Sequence, residues 1–424
     1  MYEAYDSRYN SLGYPMSQLD SLFVRVAPNV RENSFIFMCK ILTRDDFKVI
    51  YLDNSATTRP YQDVLNAFVT INEQYYANPA SIHEKGVEAN QLLTRAREQI
   101  GEVLHTKGEH IIFTSGGTES NNLAIFGLTE QHQHIGKHII TTAIEHPSVL
   151  NPIAKLAEQG YEVTYLAVNK EGQISLKALQ QALRKDTVLV SIMHVNNEMG
   201  AIQPIQAIAR LVKTQSRAFL HVDAIQSFGK LPISFQDGMD VMTVSGHKIH
   251  ALKGTGILAF ANRPLLVPQL LGGGQEHGLR SGTVAVAQNV VLAKAMRIAK
   301  CEQAMNEMKY RKYQHQLMEV LGCFQDVQLI STKQCAPHII TFSIKELRGE
   351  IIINALQKEG VIASTSSACS SKQQTESHVL QALKVDTAYR KGVVRLSLGS
   401  LLTDEEIQQA CHKIKQVIAS LKGE

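Results

Sequence analysis

The chain has 424 residues, enough for two domains of roughly 100–200 residues each. Apolar residues make up 44% and charged residues 19%, which supplies a packed interior and excludes a disordered, solvating chain. The formal charge of +4 comes without any block of like charges, so no nucleic-acid-binding stripe is expected, and no apolar run reaches the ~18 residues of a membrane span.

Residues 1–48 lack a sustained period and read as a weakly ordered N-terminal extension; the well-patterned sequence starts at Val49. Pro60 suits a first helical position, and Val64, Phe68, Ile71 and Tyr75 follow at helical spacing. A second stripe runs through Ala89, Leu92, Leu93, Ala96, Ile100 and Val103. A strand is expected at His110–Ser115, a helix from Glu119, a strand over 138–142, and a helix opened by Pro147 and closed by Gly160. Thr187–Val195 is strand-like, Pro204–Ser216 helical, and Ala218–Ala224, Asp240–Ser245 and Gly256–Phe260 strand-like again. Such alternation implies an α/β fold with a mostly parallel, buried sheet, whose ligands sit at the carboxyl ends of the strands.

After about residue 284 the character changes to that of a smaller α+β domain. One long helical stretch is expected over Val284–Gly322, then a strand at His338–Ile344 and a helix ended by Gly360. The serine-rich segment Ser364–Ser371 precedes a strand at Val393–Leu398, and Thr403-Asp404-Glu405-Glu406 opens the final helix as a capping box.

Three features fall at successive strand ends of the first sheet. Ser115-Gly116-Gly117-Thr118 lies between a strand and a helix and is either plain turn chemistry or an anion site, since free N–H groups and the helix dipole there suit a phosphate. Asp223 ends an apolar strand; its partner is either a cationic ring nitrogen or an internal Arg or helix cap. Lys248 follows the next strand; it is either a solvated surface charge or an amine freed by desolvation for Schiff-base chemistry. A phosphate cradle, an acid and a lysine together match the needs of pyridoxal 5'-phosphate.

His146 either stacks on such a ring and shuttles protons or is structural. Arg395 interrupts an apolar strand and needs an anion, either a substrate carboxylate or an internal ion pair. The six cysteines, Cys39, Cys301, Cys323, Cys335, Cys369 and Cys411, contain no C-x-x-C pair. They read as reduced thiols of a cytoplasmic protein, with neither a disulfide framework nor a metal site expected. Cys369 stands among small residues expected to be mobile and accessible, whereas Cys411 falls on an apolar helical stripe and is expected to be inert.

From Tyr51 to about Leu421 the chain resembles the cysteine desulfurases of the nitrogen-fixation and iron–sulfur-assembly group, within the class V aminotransferase-like pyridoxal phosphate proteins. The motifs that carry the resemblance are Tyr51–Thr58, Thr114–Asn122, His194–Gly200, His221–Ala224, Ser245–Lys248, Arg280–Thr283 and Ser366–Cys369. It implies a fold-type I transferase with a seven-stranded, mostly parallel sheet in a large domain over 63–302. A small domain over 49–62 and 303–424 would carry the cysteine loop.

It also implies roles. Lys248 would hold the cofactor covalently, Asp223 would face its ring nitrogen, Gln226 its ring hydroxyl, and His146 would stack on it. Gly117, Thr118, Ser245 and His247 would hold the phosphate, joined by Thr283 from the partner subunit of a homodimer. Asn197, also counted with the cofactor site, and Arg395 would bind the carboxylate of L-cysteine. Cys369 would form the persulfide and pass sulfur to an acceptor such as an iron–sulfur scaffold protein or a tRNA thiouridylase. A selenocysteine lyase, or another β-eliminating enzyme on the same scaffold, is the alternative. His277 and Ser400 stand where the family usually has Arg, which touches regulation or partner contacts more than catalysis.

Overall fold

The computed structural model describes residues 49–365 and 377–422. The expected N-terminal extension, and the segment that carries Cys369, lie outside the described residues.

The main sheet follows the alternating pattern. In chain order its strands are β2 (Ile111–Thr114), β3 (His138–Thr142), β4 (Glu162–Leu166), β5 (Thr187–Met193), β6 (Phe219–Asp223), β7 (Val241–Ser245) and β8 (Gly256–Phe260). They lie side by side as β2-β8-β7-β6-β5-β3-β4, with β8 antiparallel to both neighbours and the other pairs parallel. Residues of period two feed opposite faces. Ile111, Phe113, Ile257 and Ala259 join the core beneath α2 (Glu84–Leu104), α6 (Ile205–Gln215) and α7 (Val286–Cys301). Ile112, Leu258 and Phe260 join the core beneath α3 (Gly117–Gln131) and α4 (Pro147–Glu158). Each buried Ile, Leu or Phe among them contributes about 1.5–3 kcal/mol on leaving water.

A second core gathers around β9 (Val327–Leu329), β10 (Ile339–Ile344), β12 (Ser364–Thr365) and β13 (Val393–Ser397), an antiparallel sheet ordered β12-β13-β10-β9. Helices α8 (Gln303–Gly322), α9 (Gly349–Lys358) and α12 (Asp404–Lys422) cover it. The short strand β1 (Ile50–Tyr51) pairs in parallel with β11 (Val361–Ile362) and brings the start of the patterned sequence into this core. The remaining helices are α1 (Gln62–Gln74), α5 (Leu176–Ala182), α10 (His378–Ala382) and α11 (Thr387–Arg390).

Three local expectations are corrected. Pro60 precedes the helix: Tyr61 is the N-cap of α1, and Thr58 and Tyr61 hydrogen-bond the backbone of His247 and His250. The long helix over Val284–Gly322 is two helices that meet at Glu302, because Val291, Leu292 and Met296 pack in the first core and Tyr310, Tyr313 and Leu317 in the second. The helix expected from Glu119 starts two residues earlier, at Gly117. The capping box at the last helix forms as expected: Thr403 N–H donates to Glu406 Oε2 and Glu406 N–H to Thr403 Oγ1.

Candidate active site

The carboxyl ends of β2, β3, β5, β6 and β7 converge on one edge of the sheet, and all but two of the expected site residues sit there or face it. Gly117 opens α3 with no side-chain cap on the helix, so its first-turn N–H groups point at a cavity of about 380 Å³. Ala56, Thr57, Thr118, Ser245 and His247 line the same cavity. A Cβ at 117 would fall 2.2 Å from Ile225 Cδ1, so a larger residue fits here only if that side chain turns aside. Ser245 Oγ is buried without a hydrogen-bond partner. His247 Nδ1 lies 3.2 Å from Thr57 Oγ1, and burial, with Lys248, Lys253 and Lys230 nearby, pushes its pKa down to about 4. It is neutral and able to donate.

Asp223 is the last residue of β6, paired with Met193 on β5 and Thr243 on β7. It accepts from Asn121 Nδ2 and Ile225 N–H, each at 2.9 Å, and neither is charged. Burial holds its carboxyl above the usual range. Asn121 also donates to Ser148 Oγ at 2.9 Å, and Ser148 Oγ lies 2.8 Å from His146 Nδ1. His146 is the N-cap of α4: its Nδ1 accepts from Ser148 N–H at 3.1 Å, which leaves the proton of the neutral ring on Nε2. Burial holds this ring below the usual imidazole range, against the pull of Asp223.

Lys248 closes the loop after β7. Its ammonium donates to the carbonyls of Ser55 and, at 2.7 Å, Ala56. Its charge bears on both Asp223 and His146, so the three form one electrostatic group. Gln226 Nε2 donates to the Ser55 carbonyl at 3.0 Å, while Oε1 stays buried without a partner.

For Arg395 the structure shows the internal ion pair. Its Nη2 lies 3.0 Å from Asp53 Oδ1, and its Nη1 donates to the Asn197 carbonyl at 2.8 Å. The side chain is 4% exposed and Nε has no partner. Thr283 is exposed, outside the cavity that holds the other phosphate candidates. Cys369 lies outside the described residues. Cys411, with its pKa pushed up to about 11 by burial, fits an inert thiol, and none of the four described cysteines is in a disulfide.

Several neighbours carried no role of their own in the sequence, although Asn121 lies in the Thr114–Asn122 motif and Ser55, Ala56 and Thr57 in the Tyr51–Thr58 motif. Asn121 and Ser148 link Asp223 to His146, while Ser55, Ala56 and Thr57 line the site from the turn after β1. Glu145 is buried beside His146 and accepts from Met193 N–H on both oxygens at 3.0 Å. Their tie to the site is a spatial one. Of the two departures, Ser400 Oγ sits between Tyr61 Oη and His250 Nε2, at 2.9 and 3.0 Å. His277 lines a separate cavity of about 610 Å³ beside the partly buried Arg97–Glu276 pair.

A family model, aminotransferase class-V, matches residues 50–410. Cysteine desulfurase IscS of Klebsiella pneumoniae is 42% identical over 381 residues, covering 88% of this chain and 93% of the relative. A solved NifS-like protein superposes with a TM-score of 0.83 at 35% identity, covering 88% of this chain and all of its own. SspA, solved in complex with cysteine, reaches a TM-score of 0.71 at 32% identity, covering 82% of this chain and 98% of its own. With the sheet order and strand-end geometry already described, these matches place the chain in the aminotransferase class-V family and, within it, among the NifS- and IscS-like cysteine desulfurases.

Proposed function

We propose that this chain is a cysteine desulfurase that uses pyridoxal 5'-phosphate, converts L-cysteine to L-alanine and keeps the sulfur as a persulfide on Cys369. The observation that carries the reading is the grouping of Lys248, Asp223 and His146 beside two buried polar atoms, Ser245 Oγ and Gln226 Oε1, that have no protein partner. A phosphate and a ring hydroxyl would satisfy those two atoms, and a ring nitrogen cation would meet Asp223, so the residues present fit the cofactor. When bound, pyridoxal phosphate supplies an electron-accepting ring for the substrate Cα.

Lys248 would hold the cofactor and, once displaced by the substrate amine, move the Cα proton. Gly117, Thr118, Ser245 and His247 would hold the phosphate, and Asp223 would keep the ring nitrogen protonated. His146 would cover the ring face and pass a proton at Nε2. Arg395 and Asn197 would hold the substrate carboxylate, which competes with Asp53 for the guanidinium. The Cys369 thiolate then attacks the substrate sulfur. An S–S bond forms, the Cβ–S bond breaks, and its electron pair takes up a proton on the way to alanine. A selenocysteine lyase would not need this thiol for its own substrate, and the relatives do not favour that reading.

Residues 49–62 and 303–424 are read as a small domain that carries the thiol to its acceptor, an iron–sulfur scaffold protein or a tRNA thiouridylase. No described helix is long and apolar enough to cross a membrane, and we place the protein in the cytoplasm because the four described cysteines are in no disulfide. The test is alanine release from L-cysteine by wild type and Cys369→Ser, both reconstituted with cofactor. Wild type should turn over, while the variant should bind cofactor and cysteine but release no alanine catalytically. Full turnover by the variant would refute the role of Cys369.

A further inference from the structure

Lys230 lies in the turn that follows β6 and is 5% exposed. Its ammonium has no hydrogen-bond partner, an arrangement that costs several kcal/mol unless the charge is weakened or used. Together with Lys248, it lines a small cavity of about 10 Å³ that also touches Thr58, Tyr61, His250 and Asn306. That volume is close to what one water requires, and Thr58, Tyr61, His250 and Asn306 bring polar groups to a lining that is otherwise largely apolar.

The groups that face Lys230 explain why it stays unpaired. Lys248, His247, His250 and His338 bear on it, or it on them. Burial keeps all three imidazoles neutral. Tyr61 and Tyr310 close the cavity, both with phenol pKa values raised by burial. Glu302 is the carboxylate that bears on these two tyrosines. Among the described residues, then, the charged neighbour that Lys230 meets is the Lys248 amine. Burial first, and Lys248 second, push the Lys230 pKa down to about 7. It therefore exchanges its charge near neutrality.

We propose that Lys230 is a positioning residue for Lys248: it holds one water in the cavity behind that lysine, and its charge favours the uncharged form of the Lys248 amine. A second cation within reach is one of the recognised ways to free a lysine for nucleophilic work. The inference rests on Lys248 being the lysine that holds the cofactor.

The test is the pH titration of the visible absorbance of wild type, Lys230→Met and Lys230→Gln with pyridoxal 5'-phosphate bound. Circular dichroism shows that each chain is folded, and the two variants remove the charge with an apolar and a polar side chain respectively. Both should move the spectroscopic midpoint up by about one pH unit, the scale of a like charge near an amine. Unchanged midpoints in folded variants overturn the proposal. Failure of borohydride to trap cofactor on Lys248 of the wild type overturns both the proposal and the reading beneath it.

Discussion

At the scale of single residues, burial decides the charges at this sheet edge. Glu145 is fully enclosed, and that burial pushes its pKa up to about 8, with Asp223 adding to the rise and the Met193 and Thr142 hydrogen bonds opposing it. The folded chain therefore keeps this proton to about pH 8, while an unfolded glutamate releases it near 4.5. Between those values the folded state binds more protons, so this residue's contribution to stability falls as pH rises through the window. Glu145→Gln makes the side chain permanently neutral. Relative to wild type, the variant should gain about 1.4 kcal/mol for each pH unit at the steepest part of the window. Urea midpoints from pH 5 to 9 measure this, and parallel curves for the two proteins would argue against it. Asp223 and Lys248 were legible in the sequence because each directly follows or ends an apolar strand. Glu145 and Lys230 were not, since enclosure on all sides is a product of tertiary packing.

The strand-to-helix turn before α3 shows what an element asks of its neighbours. Gly256 at the start of β8 lies against the backbone of Gly116, and an added Cβ would fall 2.7 Å from Gly116 Cα. Backbone yields poorly to such pressure, and overpacking of this kind costs about 1–3 kcal/mol. Gly256→Ala should displace the turn and weaken pyridoxal 5'-phosphate binding about tenfold or more, as 1.4 kcal/mol is a factor of ten. An absorbance titration with the cofactor reads this directly; wild-type affinity in the variant would show that the turn adapts. The same strands that carry this geometry were readable because they are apolar and short. Strand β4 was not, because it lies at the sheet edge and leaves Glu162 and Tyr165 exposed. The break at Glu302 was equally hidden: no glycine or proline marks it, and only the switch of α7 and α8 between two cores produces it.

At the scale of the whole molecule, one expected ligand stands apart. Thr283 is exposed in the loop before α7, whereas Gly117, Thr118, Ser245 and His247 share one cavity. Leu271 in the same loop is 83% exposed and Ile82 is 99% exposed. In a two-fold dimer, a residue lent by one chain to its partner's site makes two defective chains complement each other. Lys248→Ala and Thr283→Arg chains are each expected to be inactive alone. When mixed chains assemble at random, half of the dimers contain one of each. Such a dimer has one site with both defects and one site with none, because the Thr283→Arg chain keeps its lysine and receives an intact threonine from its partner. Alanine release should then recover to about a quarter of the wild-type rate. If Thr283 served its own chain, every site in the mixture would keep one defect and no activity would return. Sedimentation of the same mixture as dimers, without recovered turnover, would place Thr283 outside the shared site.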